Sequence, residues 1–230
     1  MKKVISVCLS VALGVTAVKG QDVQKDAVKA ADVTALTKIA DTGKPWEANG
    51  LISISFTQVG FTNWAAGGQN ALGLSSLASF HARYRHKKFI WLNDAQLSYG
   101  FQRIGTSVVQ KTTDQISATS NAGYRIFDHT LLSMLVNLQT QFQPGYLLPN
   151  DSILISQFFA PAYLVMAVGL TYHPAKWLSV FLSPATARLT FVENQQLADQ
   201  GAFGVTPATY DAMHNKIKNG SNEATQIGAY

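Results

Sequence analysis

Charge is scarce in this sequence. Of its 230 residues, 13% are Asp, Glu, Lys or Arg, against a usual share of about 25%. The 18 Lys and Arg exceed the 13 Asp and Glu by only enough for a net charge of +5. A nucleic-acid binder concentrates its basic residues. Here the excess sits mainly at short turns, so nucleic acid is not an expected partner. Cysteine is scarcer still. Cys8 is the single one, and it comes too early in an apolar run to be a lipoprotein anchor. Residues 21–230 therefore offer no disulfide and no thiolate metal site. A long apolar run is missing too. Hydrophobic residues make up 47% of the chain, yet the mean hydropathy is +0.07. The N-terminal run is shorter than the roughly 20 residues of a spanning helix. Ser, Thr, Asn and Gln fill the space that charge leaves, which suits a polar but neutral surface such as a barrel lumen.

That N-terminal run has the parts of a secretory signal. Met1, Lys2 and Lys3 form a basic start, residues 4–15 are apolar, and Val18 and Gly20 suit a cut before Gln21. A cut after Ala17 and an uncleaved anchor are the alternatives. Residues 21–45 follow as a loosely helical, charged leader carrying Asp22, Lys25, Asp26, Lys29 and Asp32, and ended by Gly43 and Pro45.

From Trp46 the period becomes two, the spacing of a strand with two unlike faces. Ile52, Ile54 and Phe56 alternate with Ser53, Ser55 and Thr57. Leu72, Leu74, Phe80 and Tyr84 oppose Ser75, Ser79, His81 and Arg83. Leu97 and Tyr99 oppose Asp94, Gln96 and Ser98; Ile116 and Ala118 oppose Gln115, Ser117 and Thr119; Met134, Val136 and Leu138 oppose Asn137 and Gln139. A sixth segment is expected over 155–172. A seventh starts at Trp177 and flips phase near Pro184, which predicts a bulge or bend. Short links (85–88, 127–130, 173–176) alternate with long ones (61–70, 103–113, 143–153, 193–222), the last with a helical stretch over 208–218. This rhythm is that of outer-membrane barrels, with short periplasmic turns and long outer loops. Aromatic residues fall at both strand ends: Trp46, Tyr84, Trp91 and Trp177 on the short-turn side, Phe61, Tyr146 and Phe158 on the long-loop side. Two such belts suit the two interfaces of a bilayer.

In the first long loop stand Asn63, Trp64, Ala65, Ala66, Gly67 and Gly68. This resembles the NWAAGG signature of an uncharacterised family of Bacteroidota outer-membrane β-barrel proteins. Tyr99 with Gly100, and residues 111–114, 140–142, 156–163, 182–184 and 197–205, add to the resemblance, which spans about 46–230. It implies fold and location and supplies no chemistry. The expected architecture is an all-β, antiparallel transmembrane barrel over residues 46–230. It would be preceded by the signal (1–20) and leader (21–45), and its last strands are expected to be missing beyond Tyr230. Single-chain barrels use an even number of strands, at least eight, and the pattern runs to seven and part of an eighth.

No catalytic, cofactor or metal constellation stands out. None of the five histidines pairs at a ligand spacing. His86, His129 and His173 read as solvated turn residues. Gly67 and Gly68 lack the lysine and serine of a phosphate loop; the loop tip around Trp64 is instead a candidate recognition or plugging element. The candidate lumen residues are His81, Arg83, Asp94, Arg125 and Gln139, with Arg103, Lys111, Asp114 and Arg188 as further lumen or loop charges, since a charge at membrane depth must face the interior. Ser79, His81 and Asp94 could in principle form a nucleophile–base–acid trio. A pore, transport or ligand-binding barrel is the leading expectation. An envelope structural or assembly component is the alternative, a lipid-modifying enzyme or a soluble secreted β protein less so. The expected partners are outer-membrane lipids and the export and barrel-assembly machinery.

Overall fold

A computed structural model describes residues 45–61, 68–147, 152–175 and 177–229. The expected signal, leader and loop tip 63–67 lie outside them. The chain is all-β. One antiparallel sheet holds eight strands in the order β1 (Trp46–Val59), β2 (Ala71–His86), β3 (Phe89–Ile104), β4 (Gln110–Phe127), β5 (Thr130–Thr140), β8 (Ala162–Ala175), β9 (Leu178–Phe191) and β12 (Glu223–Gly228). Two small hairpins stand apart: β6 (Gly145–Tyr146) with β7 (Leu154–Ser156), and β10 (Thr209–Tyr210) with β11 (Lys216–Lys218). No described helix is long and apolar enough to cross a membrane, which says nothing of strands.

Each large strand pairs with its neighbours in sequence order, so parity alone decides which face a side chain takes. Burial is one-sided. On one face Leu92, Leu131, Leu135, Val165 and Ala167 are buried together with Asn121, Ser133, Asn137, Thr171 and Thr190. On the other, Ile52, Ile54, Phe56, Leu132, Met134, Leu170 and Leu182 are exposed. A single layer buries one face only by curling around it, so the first face is concave and the second convex. The sheet is not closed: β1 and β12 each have one partner, and β1 is exposed along nearly its whole length.

The convex face carries one aromatic belt at the short-turn end. Trp46, Tyr84 and Trp91 lie side by side across three strands in register, with the Trp46 ring 4.8 Å from Tyr84 and 6.0 Å from Trp91. At the other end Tyr99 lies 6.4 Å from Phe101, and Phe158 4.9 Å from Phe159.

The phase flip at Pro184 is a bulge. Val168 pairs with Ala185 and Leu170 with Leu182, so β9 spends an extra residue there. Leu182 and Ala187 thereby stay on the convex face despite their opposite parity. Ser183 is buried inside the bulge, and its hydroxyl bonds the carbonyl oxygens of Val168 and Ala185, each at 2.9 Å. Gly169 faces it because the Leu182 carbonyl comes too close for a side chain.

Several boundaries differ from the sequence reading. The sixth strand does not run from 155: β7 ends at Ser156 and β8 begins at Ala162. Between them Gln157 bridges Ala160, Phe159 takes a positive φ of 54°, and Pro161 has no N–H for a ladder. The 103–113 link shrinks to 105–109, because Gly105 at φ 57° turns the chain tightly. The 173–176 link starts later than expected, since β8 carries through His173 to Ala175. The expected helix over 208–218 is the β10–β11 hairpin. Asp211 accepts the backbone N–H groups of Met213 and Asn215, each at 2.8 Å, and this Asx turn competes with a helix. Among the described residues one α-helix, α1 (Gln195–Asp199), lies earlier, capped by Asn194, whose side chain accepts the Leu197 N–H at 3.0 Å.

A β-carbon at Gly169 would stand 2.1 Å from the Leu182 carbonyl oxygen, whereas one at Gly228 meets nothing within 4 Å. Gly169→Ala is therefore expected to lower stability by roughly 1–3 kcal/mol, as overpacking does, and Gly228→Ala to stay within about 0.5 kcal/mol. Thermal or denaturant unfolding of the two variants compares them.

Candidate functional site on the concave face

Direct register partners trace continuous rows across all eight strands. One row reads Asn49, His81, Asp94, Thr119, Asn137, Val165, Arg188, Gln226. The next, toward the long loops, reads Leu51, Ser79, Gln96, Ser117, Gln139, Tyr163, Thr190, Ala224. Both are mostly polar and nearly neutral. Buried Asn137 is satisfied laterally, as burial demands, by donating to the Thr119 hydroxyl at 2.8 Å. Ser133 and Thr171, nearer the short turns, share a hydrogen bond of 2.8 Å.

Below these rows the concave face turns apolar. Ile90, Leu92 and Leu131 form a buried cluster with Phe181 packed against it. Gly123, between Ile90 and Ser133 in register, leaves the space that the Leu131 side chain fills. The apolar cluster thus sits near the short turns, beside the Arg83–Glu47 and Ser133–Thr171 pairs, and the two rows toward the long loops are mostly polar.

The candidate lumen residues fall as follows. His81 contacts Asp94 through Nδ1, and Arg83 pairs with Glu47; both pairs lie on the concave face of β1–β3. Gln139 stands in the second row beside Tyr163. Arg125 is exposed at the short-turn rim, where its backbone N–H donates to the Lys88 carbonyl at 2.8 Å. Of the signature loop only Gly68 is described, lying against the Phe61 ring. Ser79 is in register with Gln96, and no hydrogen bond joins it to His81. The structure brings together the base and acid of the suggested trio without its nucleophile. No group of three or more metal-ligating side chains occurs among the described residues.

Asp114 belongs to the loops rather than to the lumen. Its carboxylate accepts Lys111 Nζ at 2.7 Å and the backbone N–H groups of Phe142 and Gln143 at 2.7 and 2.9 Å. Lys111 also donates to the Gln143 carbonyl at 2.8 Å. One ion pair thus clamps the chain leaving β5 onto the start of β4.

Two cavities occur. The larger, about 420 Å³, lies over Ala48, Ala82, Ala95 and Ala118, with Phe80 and Leu138 at its sides. The smaller, about 130 Å³, lies between Gln115, Gln139, Gln141 and Tyr163. Over the Tyr163 ring, 4.6 Å from its centre, sits the Arg188 guanidinium. Tyr163 was legible as one polar-face residue among several. Its pairing with Arg188 across β8 and β9 depends on the register beyond the Ser183 bulge, which no local signal carries.

Residues 56–146 match a family model described as Protein of unknown function (DUF3078). No curated protein and no solved structure matches the chain. The matched stretch includes His81, Arg83, Asp94, Arg125 and Gln139 and ends before Tyr163 and Arg188.

At the long-loop end, residues 192–222 build their own small core from Val192, Leu197, Ala198 and Val205, together with Ala160. Asp199 ties it down, accepting Lys216 Nζ at 2.5 Å, the Gly220 N–H at 2.8 Å and Gln195 Nε2 at 2.7 Å. The bond from Lys216, then those from Gly220 and Gln195, hold its pKa down to about 2 from the ordinary 3.8.

Removing the Asp114 carboxylate leaves two backbone N–H groups and a lysine without their acceptor. Asp114→Ala is expected to cost roughly 1.5–3 kcal/mol, with Asp114→Asn intermediate, and to speed proteolysis within 141–147. Because Asp199 titrates lower in the folded chain than when unfolded, its stabilisation is complete above 3.8 and fades as pH falls through about 2. Carboxyl NMR titration is expected to place Asp199 near that value, and Lys216→Met to raise it.

Proposed function

We propose that this is an exported outer-membrane β-barrel protein whose convex face lies against lipid and whose concave face meets a transported or bound solute. The observation that carries the reading is the inverted burial: large apolar side chains are exposed around one face, while Ser, Thr and Asn are buried on the other. Water penalises that arrangement and a bilayer rewards it, because lipid-facing strands alternate apolar-out and polar-in. The stacked aromatic rings at the short-turn end and those at the long-loop end suit the two interfaces. A spanning sheet tolerates no free edge in lipid. β1 climbs from the short-turn end and β12 descends from the long-loop end, so joining their edges, directly or through an even number of strands, keeps every ladder antiparallel.

The N-terminal sequence supports export, so barrel-assembly machinery and outer-membrane lipids are the partners this reading requires. The apolar cluster of Ile90, Leu92 and Leu131 narrows the short-turn end, which favours a ligand-binding or gated barrel over an open pore. An assembly role is the alternative. Association with envelope machinery, without solute binding or conductance, would favour it.

The full-length protein is expected to fractionate with outer membranes and to migrate differently on gels before and after heating. Recovery of the folded chain in the soluble periplasm would overturn the reading. A substitution sharpens the contrast. Ile52 is 71% exposed at the middle of β1 on the convex face. Ile52→Arg is expected to cost roughly 2–4 kcal/mol if that face meets hydrocarbon, and to stay within about 0.5 kcal/mol if it meets water. Ser53→Arg, on the concave face, is the control.

A further inference from the structure

We propose that Arg188 is the anchor of a concave-face site for a small oxyanion, a carboxylate or a phosphate. The proposal rests on reading the concave face as the solute-facing one and names the ligand class it takes. Its first ground is charge. Arg188 stands between Val165 and Gln226 in register, with Thr186 and Thr190 beside it on its own strand. None of these is acidic. Three carboxylates on or beside the concave rows are committed elsewhere: Glu47 to Arg83, Asp94 to His81, and Asp114 to Lys111 and two backbone N–H groups. Among the described residues Arg188 makes no ion pair, although it is half-buried and its Nε is buried without an acceptor. A charge placed there without a counter-charge is unfavourable unless something meets it.

The second ground is preorganisation. The guanidinium lies 4.6 Å over the Tyr163 ring and within hydrogen-bonding reach of its hydroxyl, which holds the side chain against one surface. A planar fork held in one orientation suits two parallel bonds to an oxyanion, which an ammonium does not reproduce. The third ground is the neighbouring wall. Tyr163 also lines the pocket of about 130 Å³ with Gln115, Gln139 and Gln141. Gln141 Nε2 is spent on the Gln157 carbonyl, so the amides of Gln115 and Gln139 are the ones offered to an anion or to polar groups attached to it, and Lys111 offsets the charge of Asp114, which also lines the pocket.

The test uses the full-length protein in detergent micelles, labelled with ¹⁵N-arginine and titrated separately with inorganic phosphate and with succinate. The expected result is a saturable shift of the Arg188 Nε–Hε resonance with at least one of the two, and the stronger binder tells phosphate from carboxylate as the source. Arg188→Gln is expected to weaken that binding at least tenfold, and Gln139→Leu to weaken it less. Arg188→Lys keeps the charge without the fork. It is expected to fold and to bind several-fold more weakly, which preserves the test should Arg188→Gln misfold. No saturable shift with either anion at tens of millimolar, or variants that bind like the unsubstituted protein, would overturn the proposal. So would saturable binding of maltose, a neutral saccharide, in place of the anions. Heat-modifiable migration of the same preparation scores membrane residence separately. A water-soluble chain that still shifts Arg188 keeps this site and removes the barrel.

Discussion

Backbone hydrogen bonds between adjacent antiparallel strands hold this molecule in one layer, and every other feature depends on that ladder. With no second sheet against it, a side chain's position is set by parity and register. The same pairing that joins Asn49 to His81, and His81 to Asp94, extends through Arg188 to Gln226. A slip of one residue in any strand would turn its polar set outward. The ladder therefore decides both where the apolar surface lies and which polar groups meet inside.

Curling the layer makes one face an interior, and the polar groups there have to find one another. Asn137 reaches Thr119, Ser133 reaches Thr171, and Ser183 satisfies carbonyls inside the β9 bulge. These are neutral bonds between adjacent strands, so they brace the curl without burying charge. Where charges do occur on the concave face they are paired side by side on β1–β3, and Arg188 on β9 is stacked on an aromatic ring instead. The ends are managed differently. Short turns need few side chains. The long connections carry their own supports, an aspartate clamp at Asp114 and a small apolar core around Leu197.

Much of the strand pattern was legible because period two is a local property. Ile52, Ile54 and Phe56 announce a two-faced strand without reference to any other segment, and the phase flip at Pro184 announces a bulge in the same way. Misread boundaries lie where a single residue's backbone overrides the pattern. Gly105 tightens a link expected to be long, Pro161 interrupts a strand expected to be continuous, and Asp211 turns an expected helix into a hairpin. The site was less legible than the fold. His81 and Asp94 could be suspected of meeting across a hairpin, and they do. The apolar cluster of Ile90, Leu92 and Leu131 escaped notice, because its members look like ordinary breaks in alternation until three strands align them.

From the sequence alone came the low charge, the alternation, the aromatic strand ends and hence an all-β chain of two-faced hairpins. Each of these depends on residues within a few positions of one another. The tertiary structure decided which face became the interior, where on it the apolar cluster sits, and that Arg188 rests on Tyr163 with no carboxylate opposite. Those outcomes depend on register carried across eight strands and on the direction of the curl. Both are summed over distant pairings, so no single stretch of sequence contains them.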